Sequence, residues 1–360
     1  MRYKSPNQLI PAGIRSLSAY HVPPAAGMIK LDAMENPYGW PDDVQQSWLE
    51  KLKTLELNRY PDPGGWTLCE KLRETQSIPD NQAILLGNGS DELIQIIAMA
   101  LAEPGRTVLA PEPGFVMYKM IAAFAGMDYV GVPLNATDFS LDADAMLAAI
   151  KQRQPAVIFL AYPNNPTGNH WDRNVIEAIL KNAEGLVVLD EAYAPFAADS
   201  FMQDLGKYPN LLVMRTLSKF GLAGIRLGYL CGPADWINEF DKIRLPYNIN
   251  VLTQATAEFA LAYQDLFDQQ AEQIKQSRRA LIEALRLLPG LKVFDSDANF
   301  ILFRAAAGQA TDIFEVLRQQ GILIKNLSPA GGLLKDCLRV TVGKPSENQA
   351  LLAALSSAVG

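Results

Sequence analysis

The chain has 360 residues, of which 49% are apolar and 20% are charged, and its formal net charge is −7. This length predicts two domains, or one large α/β domain with an appendage, and the apolar residues suffice for a large core. The acidic balance argues against a nucleic-acid partner, which would favour a basic patch.

The cysteines Cys69, Cys231 and Cys337 are scattered along the chain, and the histidines are His21 and His170. Scattered cysteines in odd number are typical of reduced cytosolic thiols, and no metal-ligand spacing joins them. The first twenty residues contain no long apolar stretch, so neither a signal peptide nor a transmembrane segment is expected. We therefore expect a cytoplasmic protein with no metal site and no membrane partner.

The N-terminal stretch, through about Tyr38, is rich in Pro, Ala and Gly and predicts an irregular arm. Between Leu93 and Leu230, short apolar runs alternate with helical segments. Runs that are apolar on both faces indicate a mostly parallel sheet with helices on each side. Ligands of such sheets bind beyond the carboxyl ends of the strands. Polar residues cluster where those ends are expected: Asn164, Asn165, Asp190, Tyr193, Ser218 and Lys219.

A segment without Pro or Gly, from about Leu252 to Leu287, predicts one long helix that ends at Pro289-Gly290. The strand-like and helix-like patterns beyond it predict a smaller α+β domain. We expect three parts in the chain. They are an N-terminal arm with part of the small domain (residues 1–40), a large domain (41–250) and a small C-terminal domain with a long connecting helix (251–360).

Lys219 lies in the sequence TLSK, at the end of an apolar run. Most lysines are solvated surface charges. Here, however, the next segment is rich in glycine and contains Arg226, which is close enough in sequence to share an anion site with Ser218. A lysine beside an arginine and an anionic ligand can form a Schiff base and then move a proton.

Asp190 ends the apolar run GLVVL, where an ionised carboxylate needs a partner. A helix cap or a buried salt bridge would meet that need, and so would the protonated ring nitrogen of a cofactor. Tyr193 supplies a phenol from the same turn. As an isolated residue, Tyr193 is equally consistent with an aromatic side chain at the edge of the core.

Two turns offer further ligands. In YPNNPTG, which follows another apolar run, an Asn side chain can donate a hydrogen bond into a crevice at the strand end. GNGSDE precedes an apolar helix, and it is either a simple cap or a phosphate seat made by the backbone of Gly89, Ser90 and Asp91. Phe115, in the EPGF turn, could lie flat on an aromatic ring, although an ordinary core phenylalanine is the simpler interpretation.

Arg339 lies in the β-like stretch CLRVTVG, and Lys325 lies in GILIKN. Arginine is costly to bury without an anionic partner, and its planar fork fits a carboxylate or a phosphate. Either residue could belong to a structural ion pair. Two such cations in one small domain favour an anionic substrate.

Together these residues resemble the fold-type-I pyridoxal-phosphate (PLP) aminotransferases and, within them, the histidinol-phosphate aminotransferases. The resemblance covers nearly the whole chain, through the motifs ENPYG, NRYPDP, GNGSDE, YPNNPTG, DEAY, RTLSKFGLAGIRLGY, NFILFR and CLRVTVG. It implies a large domain with a mostly parallel seven-stranded sheet between helices, and a smaller α+β domain. It also implies PLP as cofactor and the transfer of an amino group between histidinol phosphate and 2-oxoglutarate in histidine biosynthesis.

The resemblance implies a role for each candidate cofactor residue. Lys219 would hold the cofactor as a Schiff base and move the proton, and Asp190 would pair with the pyridine nitrogen. Tyr193 and Asn165 would bond the ring oxygen. The ring would stack on Phe115, and the cofactor phosphate would be held by Gly89, Ser90, Asp91, Ser218 and Arg226.

The resemblance extends to the substrate and to the assembly. Arg339 would bind the substrate anion, in a pocket lined by Tyr20, Asn36, Asn165 and Lys325. Tyr60 would reach the cofactor phosphate of the neighbouring subunit, which implies a homodimer with shared active sites.

Three features depart from the family pattern. Met34 stands where many relatives have Asn, which makes a polar role there doubtful. The stretch from Lys219 to Arg226 is one residue shorter than in many aminotransferases. Lys325 stands where Arg is frequent, so this position keeps the charge but loses the bidentate fork.

Other functions are also consistent with the sequence. An aromatic amino-acid aminotransferase and a decarboxylase of a phosphorylated amino acid share the same fold. A non-catalytic PLP-binding regulator would carry an additional basic helix-turn-helix segment, which this acidic chain is not expected to have.

Overall fold

The computed structural model describes residues 3–19 and 23–359. Its strands are β1 (Ile29–Lys30), β2 (Ala83–Asn88), β3 (Thr107–Glu112), β4 (Asp128–Pro133), β5 (Val157–Ala161), β6 (Leu186–Asp190), β7 (Leu211–Thr216), β8 (Leu227–Gly232), β9 (Lys292–Val293), β10 (Phe300–Arg304), β11 (Ile322–Leu323), β12 (Lys325–Asn326) and β13 (Cys337–Thr341).

The helices follow the same chain order. They are α1 (Pro6–Leu9), α2 (Ala12–Arg15), α3 (Asp42–Leu52), α4 (Trp66–Thr75), α5 (Ser90–Leu101), α6 (Val116–Ala125), α7 (Ala143–Arg153), α8 (Arg173–Asn182), α9 (Ala234–Asp241), α10 (Val251–Leu261), α11 (Gln264–Arg286), α12 (Ala310–Gln319) and α13 (Pro345–Val359). Within the two described ranges, no helix is long and apolar enough to cross a membrane.

The largest sheet has seven strands in the order β2-β8-β7-β6-β5-β3-β4. The neighbouring strands β7-β6, β6-β5, β5-β3 and β3-β4 are parallel, whereas β8 runs antiparallel to both of its neighbours, β2 and β7. The predicted seven-stranded, mostly parallel sheet is therefore confirmed. Its parallel strands bring their carboxyl ends to one edge, where polar residues from different strands meet.

Both faces of this sheet are covered by helices. On β5, Ile158 and Leu160 pack into an apolar cluster with α4, α7, α8 and α10, whereas Val157 and Phe159 pack into another cluster with α5, α6 and α9. Successive side chains of a strand point to opposite faces, so both sets must be apolar. This is why the strands of the large sheet are continuous apolar runs in the sequence.

Two smaller sheets are built mainly from the C-terminal third of the chain. One is antiparallel in the order β12-β13-β10-β9, and the other is the parallel pair β1-β11. A third apolar cluster joins these strands to α11, α12 and α13. The pairing of Ile29 with Ile322 attaches the C-terminal part of the predicted arm to this cluster.

The single long helix expected from about Leu252 to Leu287 is wrong, because the chain forms two helices, α10 and α11, on either side of Ala262 and Tyr263. Tyr263 has φ −111° and ψ 34°, which is not a helical conformation. Its ring packs on Phe259 with centroids 4.9 Å apart and on the apolar cluster of α4 and α10. Tertiary packing of this aromatic ring interrupts a segment that contains no helix-breaking residue.

Candidate active site

A cavity of about 380 Å³ lies at the carboxyl ends of β5, β6 and β7. The last residues of these strands, Ala161, Asp190 and Thr216, all line it. The lining also includes most of the predicted cofactor residues: Ser90, Asp91, Phe115, Asn165, Asp190, Tyr193, Ser218, Lys219 and Arg226. Residues far apart in sequence thus meet at the edge that the strand topology predicts.

Lys219 lies in a π-helical turn, Ser218–Leu222, directly after β7. Its Nζ donates a hydrogen bond to the carbonyl oxygen of Ala33 at 3.2 Å. Burial, followed by the positive charge of Arg339, lowers the pKa of Lys219 to about 8. A substantial fraction of this amine is therefore neutral near physiological pH, which a nucleophilic amine requires.

Asp190 is 4% exposed, and protein donors contact both of its carboxylate oxygens. The hydroxyl of Tyr118 donates to Oδ2 at 2.7 Å, and the backbone N–H of Ala192 donates to Oδ1 at 3.1 Å. Burial outweighs these bonds and raises the pKa of Asp190 to about 6. A cation at this carboxylate would stabilise its ionised form.

A chain of hydrogen bonds connects the loops after β5 and β6 with the small antiparallel sheet. Asn165 donates from Nδ2 to the hydroxyl of Tyr193 at 3.0 Å and accepts from Nη1 of Arg339 at 2.6 Å. Arg339 also donates from Nη2 to the carbonyl oxygen of Asp32 at 3.1 Å. Burial raises the pKa of Tyr193, so its hydroxyl remains protonated and can donate.

One end of the cavity has the features of an anion seat. Helix α5 begins at Ser90, so its free N–H groups and the positive end of its dipole lie beside the cavity. Arg226 approaches this end, with Nη1 3.5 Å from Oγ of Ser218 and Nη2 3.6 Å from a carboxylate oxygen of Asp91. A β-carbon on Gly89 would lie 2.5 Å from Nη2 of Arg226, so glycine leaves the space that the guanidinium occupies.

The short spacing between Lys219 and Arg226 is accommodated by two residues with positive φ. Gly221 has φ 126° and Arg226 has φ 55°. These turns reverse the backbone within a few residues, so that Arg226 returns to Ser218. The shorter connection therefore still delivers the arginine to the anion seat.

Phe115 caps the N-terminus of α6 and lines the cavity. Its ring meets the ring of Tyr118 edge-on, with centroids 5.5 Å apart and an angle of 85°. This contact leaves the ring of Phe115 as part of the cavity wall. The arrangement is compatible with an aromatic ligand that stacks on it.

Tyr60, Asn36 and Lys325, which were also predicted as site residues, are not among the residues that line the cavity. Tyr60 is 81% exposed and stacks on Tyr247 with centroids 4.5 Å apart. Asn36 donates to the carbonyl oxygen of Phe220 at 3.3 Å and to Gln270 at 2.9 Å, so it supports the turn after Lys219.

Lys325 lies directly opposite Arg339 across β12 and β13. Directly opposed residues of an antiparallel pair share one face of the sheet, so these two cations lie on the same side. Tyr20 is outside the described residues.

Sequence reasoning missed three contributors to the cavity and its polar network. Tyr118 bonds Asp190, Thr216 donates to Oγ of Ser218 at 2.9 Å, and the Ala33 carbonyl holds Lys219. Thr216 could have been identified from the sequence, because it is the first residue of the TLSK motif. A backbone carbonyl cannot be identified in this way. Tyr118 stands within an apolar helical pattern, where an aromatic residue predicts only packing in the core.

The cavity fits pyridoxal phosphate in four respects. It offers an amine of lowered pKa for the aldehyde and a buried carboxylate for the ring nitrogen. It offers a phenol and an amide for the ring oxygen. A helix N-terminus with an arginine and a serine is available for the phosphate.

Comparison with known proteins agrees with this geometry. Residues 26–355 match the family model of aminotransferase class I and II. Histidinol-phosphate aminotransferase 2 of Nitrosococcus oceani is 55% identical over 350 residues, which cover 97% of each chain. Histidinol-phosphate aminotransferase of Chromobacterium violaceum is 54% identical over 348 residues, again 97% of each chain.

A solved structure is also similar over nearly the whole chain. It is histidinol-phosphate aminotransferase from Sinorhizobium meliloti in complex with pyridoxal-5'-phosphate, which is 28% identical, has a TM-score of 0.86 and covers 98% of both chains. The strand-end cavity, the lysine after β7 and these similarities lead to one conclusion. The chain belongs to the class I and II aminotransferases and is a PLP-dependent enzyme.

Proposed function

We propose that this enzyme transfers an amino group between L-histidinol phosphate and 2-oxoglutarate, giving imidazole-acetol phosphate and glutamate in histidine biosynthesis. Relatives with this activity in their names are more than half identical over nearly the full chain. The observation that carries the proposal is Arg339, which is 8% exposed, hydrogen-bonded to Asn165 and close enough to lower the pKa of Lys219.

The reaction requires an anion site beside the reacting carbon, and Arg339 supplies it. Glutamate carries an α-carboxylate next to its amine, whereas histidinol phosphate lacks this carboxylate and carries a phosphate. A guanidinium binds either anion through its planar fork. Lys325 adds a second cation to the same face of the small sheet. One positive site can therefore serve both substrates in turn, by ping-pong kinetics.

Lys219 is the residue that holds PLP and moves the proton. When bound, the cofactor supplies an electron sink for the amino-bearing carbon of the substrate. Nζ of Lys219 would take the proton from that carbon and deliver it to the cofactor, and in the second half-reaction it would move a proton in the opposite direction. Its lowered pKa, near 8, supports this role, because an amine of ordinary pKa would remain protonated at neutral pH.

Asp190, Tyr193 and Asn165 orient the cofactor ring. The Asp190 carboxylate pairs with the protonated ring nitrogen, which favours the electron-poor form of the ring. Asn165, in the loop after β5, and Tyr193, in the loop after β6, would bond the ring oxygen, and their mutual contact of 3.0 Å fixes their relative position. Phe115 would stack on the ring.

The cofactor phosphate binds at the start of α5. The backbone N–H groups of Gly89, Ser90 and Asp91 would hold the anion, and Ser218 and Arg226 would complete the seat. The Asp91 carboxylate is not a ligand in this proposal. Arg226 lies 3.6 Å from this carboxylate, and its positive charge offsets the repulsion between Asp91 and the phosphate.

The active unit is a homodimer in which Tyr60 reaches the phosphate of the other subunit. Large apolar side chains that are close in sequence to Tyr60 or to its stacking partner Tyr247 are exposed in the single chain: Leu57, Trp66, Leu245 and Leu252. Exposed apolar side chains in such number favour a protein interface. Contact with a second copy would cover them and place Tyr60 at the shared site.

We place the enzyme in the cytoplasm. Cys69, Cys231 and Cys337 are all free thiols, and reduced cysteines are typical of a reducing compartment. Fractionation of the host cell, with detection of the protein and of a known cytoplasmic marker, tests this location.

Substrate preference is the decisive test of the proposed reaction. The purified protein with added PLP is assayed with histidinol phosphate, phenylalanine and phosphothreonine, each with 2-oxoglutarate. We expect the highest kcat/KM for histidinol phosphate. A large preference for phenylalanine would indicate an aromatic aminotransferase, and loss of CO₂ from phosphothreonine would indicate a decarboxylase; either result would contradict the proposal.

A further inference from the structure

Tyr118 is a buried tyrosine whose hydroxyl contacts the reaction site. It lies in the first turn of α6 and is 2% exposed. Its hydroxyl donates to Oδ2 of Asp190 at 2.7 Å, a distance within the range of charge-assisted bonds between a hydroxyl and a carboxylate. This bond links helix α6 directly to the carboxylate at the end of β6.

We propose that Tyr118 is a positioning residue, which holds the Asp190 carboxylate ionised and aimed at the ring nitrogen of the cofactor. The inference rests on the proposed function, because that function makes Asp190 the partner of the ring nitrogen. It adds a residue that acts through Asp190 and does not itself line the cavity.

The electrostatics around Asp190 give Tyr118 its importance. Burial strongly favours the neutral acid and raises the pKa of Asp190, and the negative charges of Asp91 on α5 and of adjacent Glu191 act in the same direction. The bond from Tyr118 is the largest influence that opposes them, ahead of the Ala192 N–H. Loss of the phenol would therefore raise the pKa of Asp190 further.

Tyr118 itself remains a donor over the whole useful pH range. Its pKa is raised well above the ordinary value because it is buried and because Asp190 and Tyr193 lie nearby. A phenol that stays protonated keeps its hydrogen for the carboxylate. The direction of the bond is thus fixed, with Tyr118 donating and Asp190 accepting.

The ring of Tyr118 is held from two sides. It stacks on Phe159 of β5 with centroids 4.8 Å apart and an angle of 10°, and it meets Phe115 edge-on at 5.5 Å. The same side chain therefore contacts both the carboxylate and the aromatic wall of the cavity. These two ring contacts fix the orientation of the side chain, so its hydroxyl stays directed at Asp190.

The test compares Tyr118→Phe with Tyr229→Phe in the PLP-loaded enzyme. Tyr229 is also fully buried, and its hydroxyl donates to Gln76 at 3.3 Å, so this control loses a buried phenol that does not contact Asp190. We expect Tyr118→Phe to slow the half-reaction with glutamate roughly tenfold, as for a lost hydrogen bond to a charged group. Without the Tyr118 phenol, Asp190 should hold the ring nitrogen less fully protonated, so the ring would carry less positive charge. The pKa of the Lys219 nitrogen that holds the cofactor should then rise, and with it the pH midpoint of the visible cofactor band.

A merely structural tyrosine would give a different pattern. In that case both variants would lose similar thermal stability, and the pH midpoint and half-reaction of Tyr118→Phe would match those of Tyr229→Phe. This result would overturn the inference. Replacement of Tyr118 by 3-fluorotyrosine, a stronger donor of the same shape, serves if Tyr118→Phe does not fold; it should lower the midpoint, and an unchanged midpoint would overturn the inference.

A double-mutant cycle separates this inference from the proposed function. If Tyr118 acts through Asp190, Tyr118→Phe should have no further effect on the half-reaction in an Asp190→Asn background. An equal tenfold loss in that background would overturn the inference and leave the role of Asp190 intact. A normal half-reaction in Asp190→Asn itself would instead show that the proposed role of Asp190 is wrong.

Discussion

Arg339 donates a hydrogen bond of 2.6 Å to Oδ1 of Asn165, so the small antiparallel sheet is connected to the loop that follows β5. The same Asn165 contacts Tyr193, which lies after β6. In the proposed roles of these residues, an anion bound to Arg339 would act on the side chains that orient the cofactor ring. Substrate binding and ring orientation would then be linked through the Asn165 amide.

Arg339→Ala should impair both half-reactions, because both substrates present an anion to the same guanidinium. Loss of a buried, hydrogen-bonded charge should lower kcat/KM roughly a hundredfold for each substrate. Arg339→Lys keeps the charge but loses the fork, and we expect a smaller loss in both. Single-turnover absorbance measurements with glutamate and with histidinol phosphate separate the two half-reactions.

Arg304→Ala is the matched control for Arg339. Arg304 lies on β10 of the same sheet and donates to the carbonyl oxygen of Leu333 at 2.7 Å, whereas Arg339 donates to Asn165 of the cavity lining. It should lose stability without loss of either half-reaction. Damage by Arg339→Ala to only one half-reaction would show that the anion site is not shared.

The attachment of PLP to Lys219 should depend on pH with a midpoint near 8, where its pKa lies. Only the neutral amine attacks the aldehyde, so the rate should be low below this pH and level off above it. Arg339→Ala removes a positive charge that lowers this pKa, and the midpoint should therefore rise. Mixing the cofactor-free protein with PLP and following the visible absorbance measures the rate.

Lys219→Ala should abolish the visible band of the bound cofactor. Lys242→Ala provides the control, since Lys242 is exposed and paired with Glu239 on the surface. We expect the control to keep both the band and the activity. Retention of band and activity in Lys219→Ala would mean that another lysine holds the cofactor.

The large sheet and the residues at its strand ends could be predicted because their signals are local. Asp190 and Lys219 each follow an apolar run of strand length, and parallel strands place such positions at a common edge. The pattern needs no knowledge of distant contacts. Lys219 and Asp190 can therefore be predicted as site residues from short segments of sequence.

The contacts that tune these residues could not be predicted in the same way. Nζ of Lys219 is held by the carbonyl oxygen of Ala33, 186 positions away, and a carbonyl has no sequence signature. The phenol of Tyr118 is hidden in an apolar helix. At the break, the ring of Tyr263 packs on the apolar cluster that contains α4 and α10, and local propensity does not encode this contact. Each of these features depends on tertiary structure.

Gly89→Ala should weaken cofactor binding by displacing Arg226. A β-carbon there would lie 2.5 Å from Nη2, and the residue has φ 81°, so the substitution also strains the backbone. We expect a roughly tenfold higher Kd for PLP, as for the loss of a charge-assisted bond to the phosphate. Fluorescence or absorbance titration of the cofactor-free protein measures this Kd.

Gly105→Ala separates strain from displacement. Gly105 has φ 82°, and a β-carbon on it would meet nothing within 4 Å. Both variants should be less stable, but only Gly89→Ala should bind PLP more weakly. Equal affinities in the two variants would mean that Arg226 does not hold the phosphate.

The proposed sharing of active sites in a homodimer predicts complementation between two defective subunits. Lys219→Ala removes the lysine of a subunit's own site, whereas Tyr60→Ala removes the residue that this subunit contributes to its partner. In a hybrid dimer the two defects fall in the same site, and the other site has both native residues. Unfolding and refolding an equimolar mixture should therefore restore about a quarter of the native activity, since half of the dimers are hybrids with one intact site.

The exposed position of Tyr60 makes this outcome informative. Tyr60 is 81% exposed and stacks on Tyr247, so within its own chain it contacts a surface aromatic residue and does not line the cavity. In the proposed dimer, an effect of Tyr60 on catalysis would come from its contact with a second copy. Refolded mixtures no more active than the separate variants would show that each site is complete within one chain, and sedimentation of the native protein as a monomer would lead to the same conclusion.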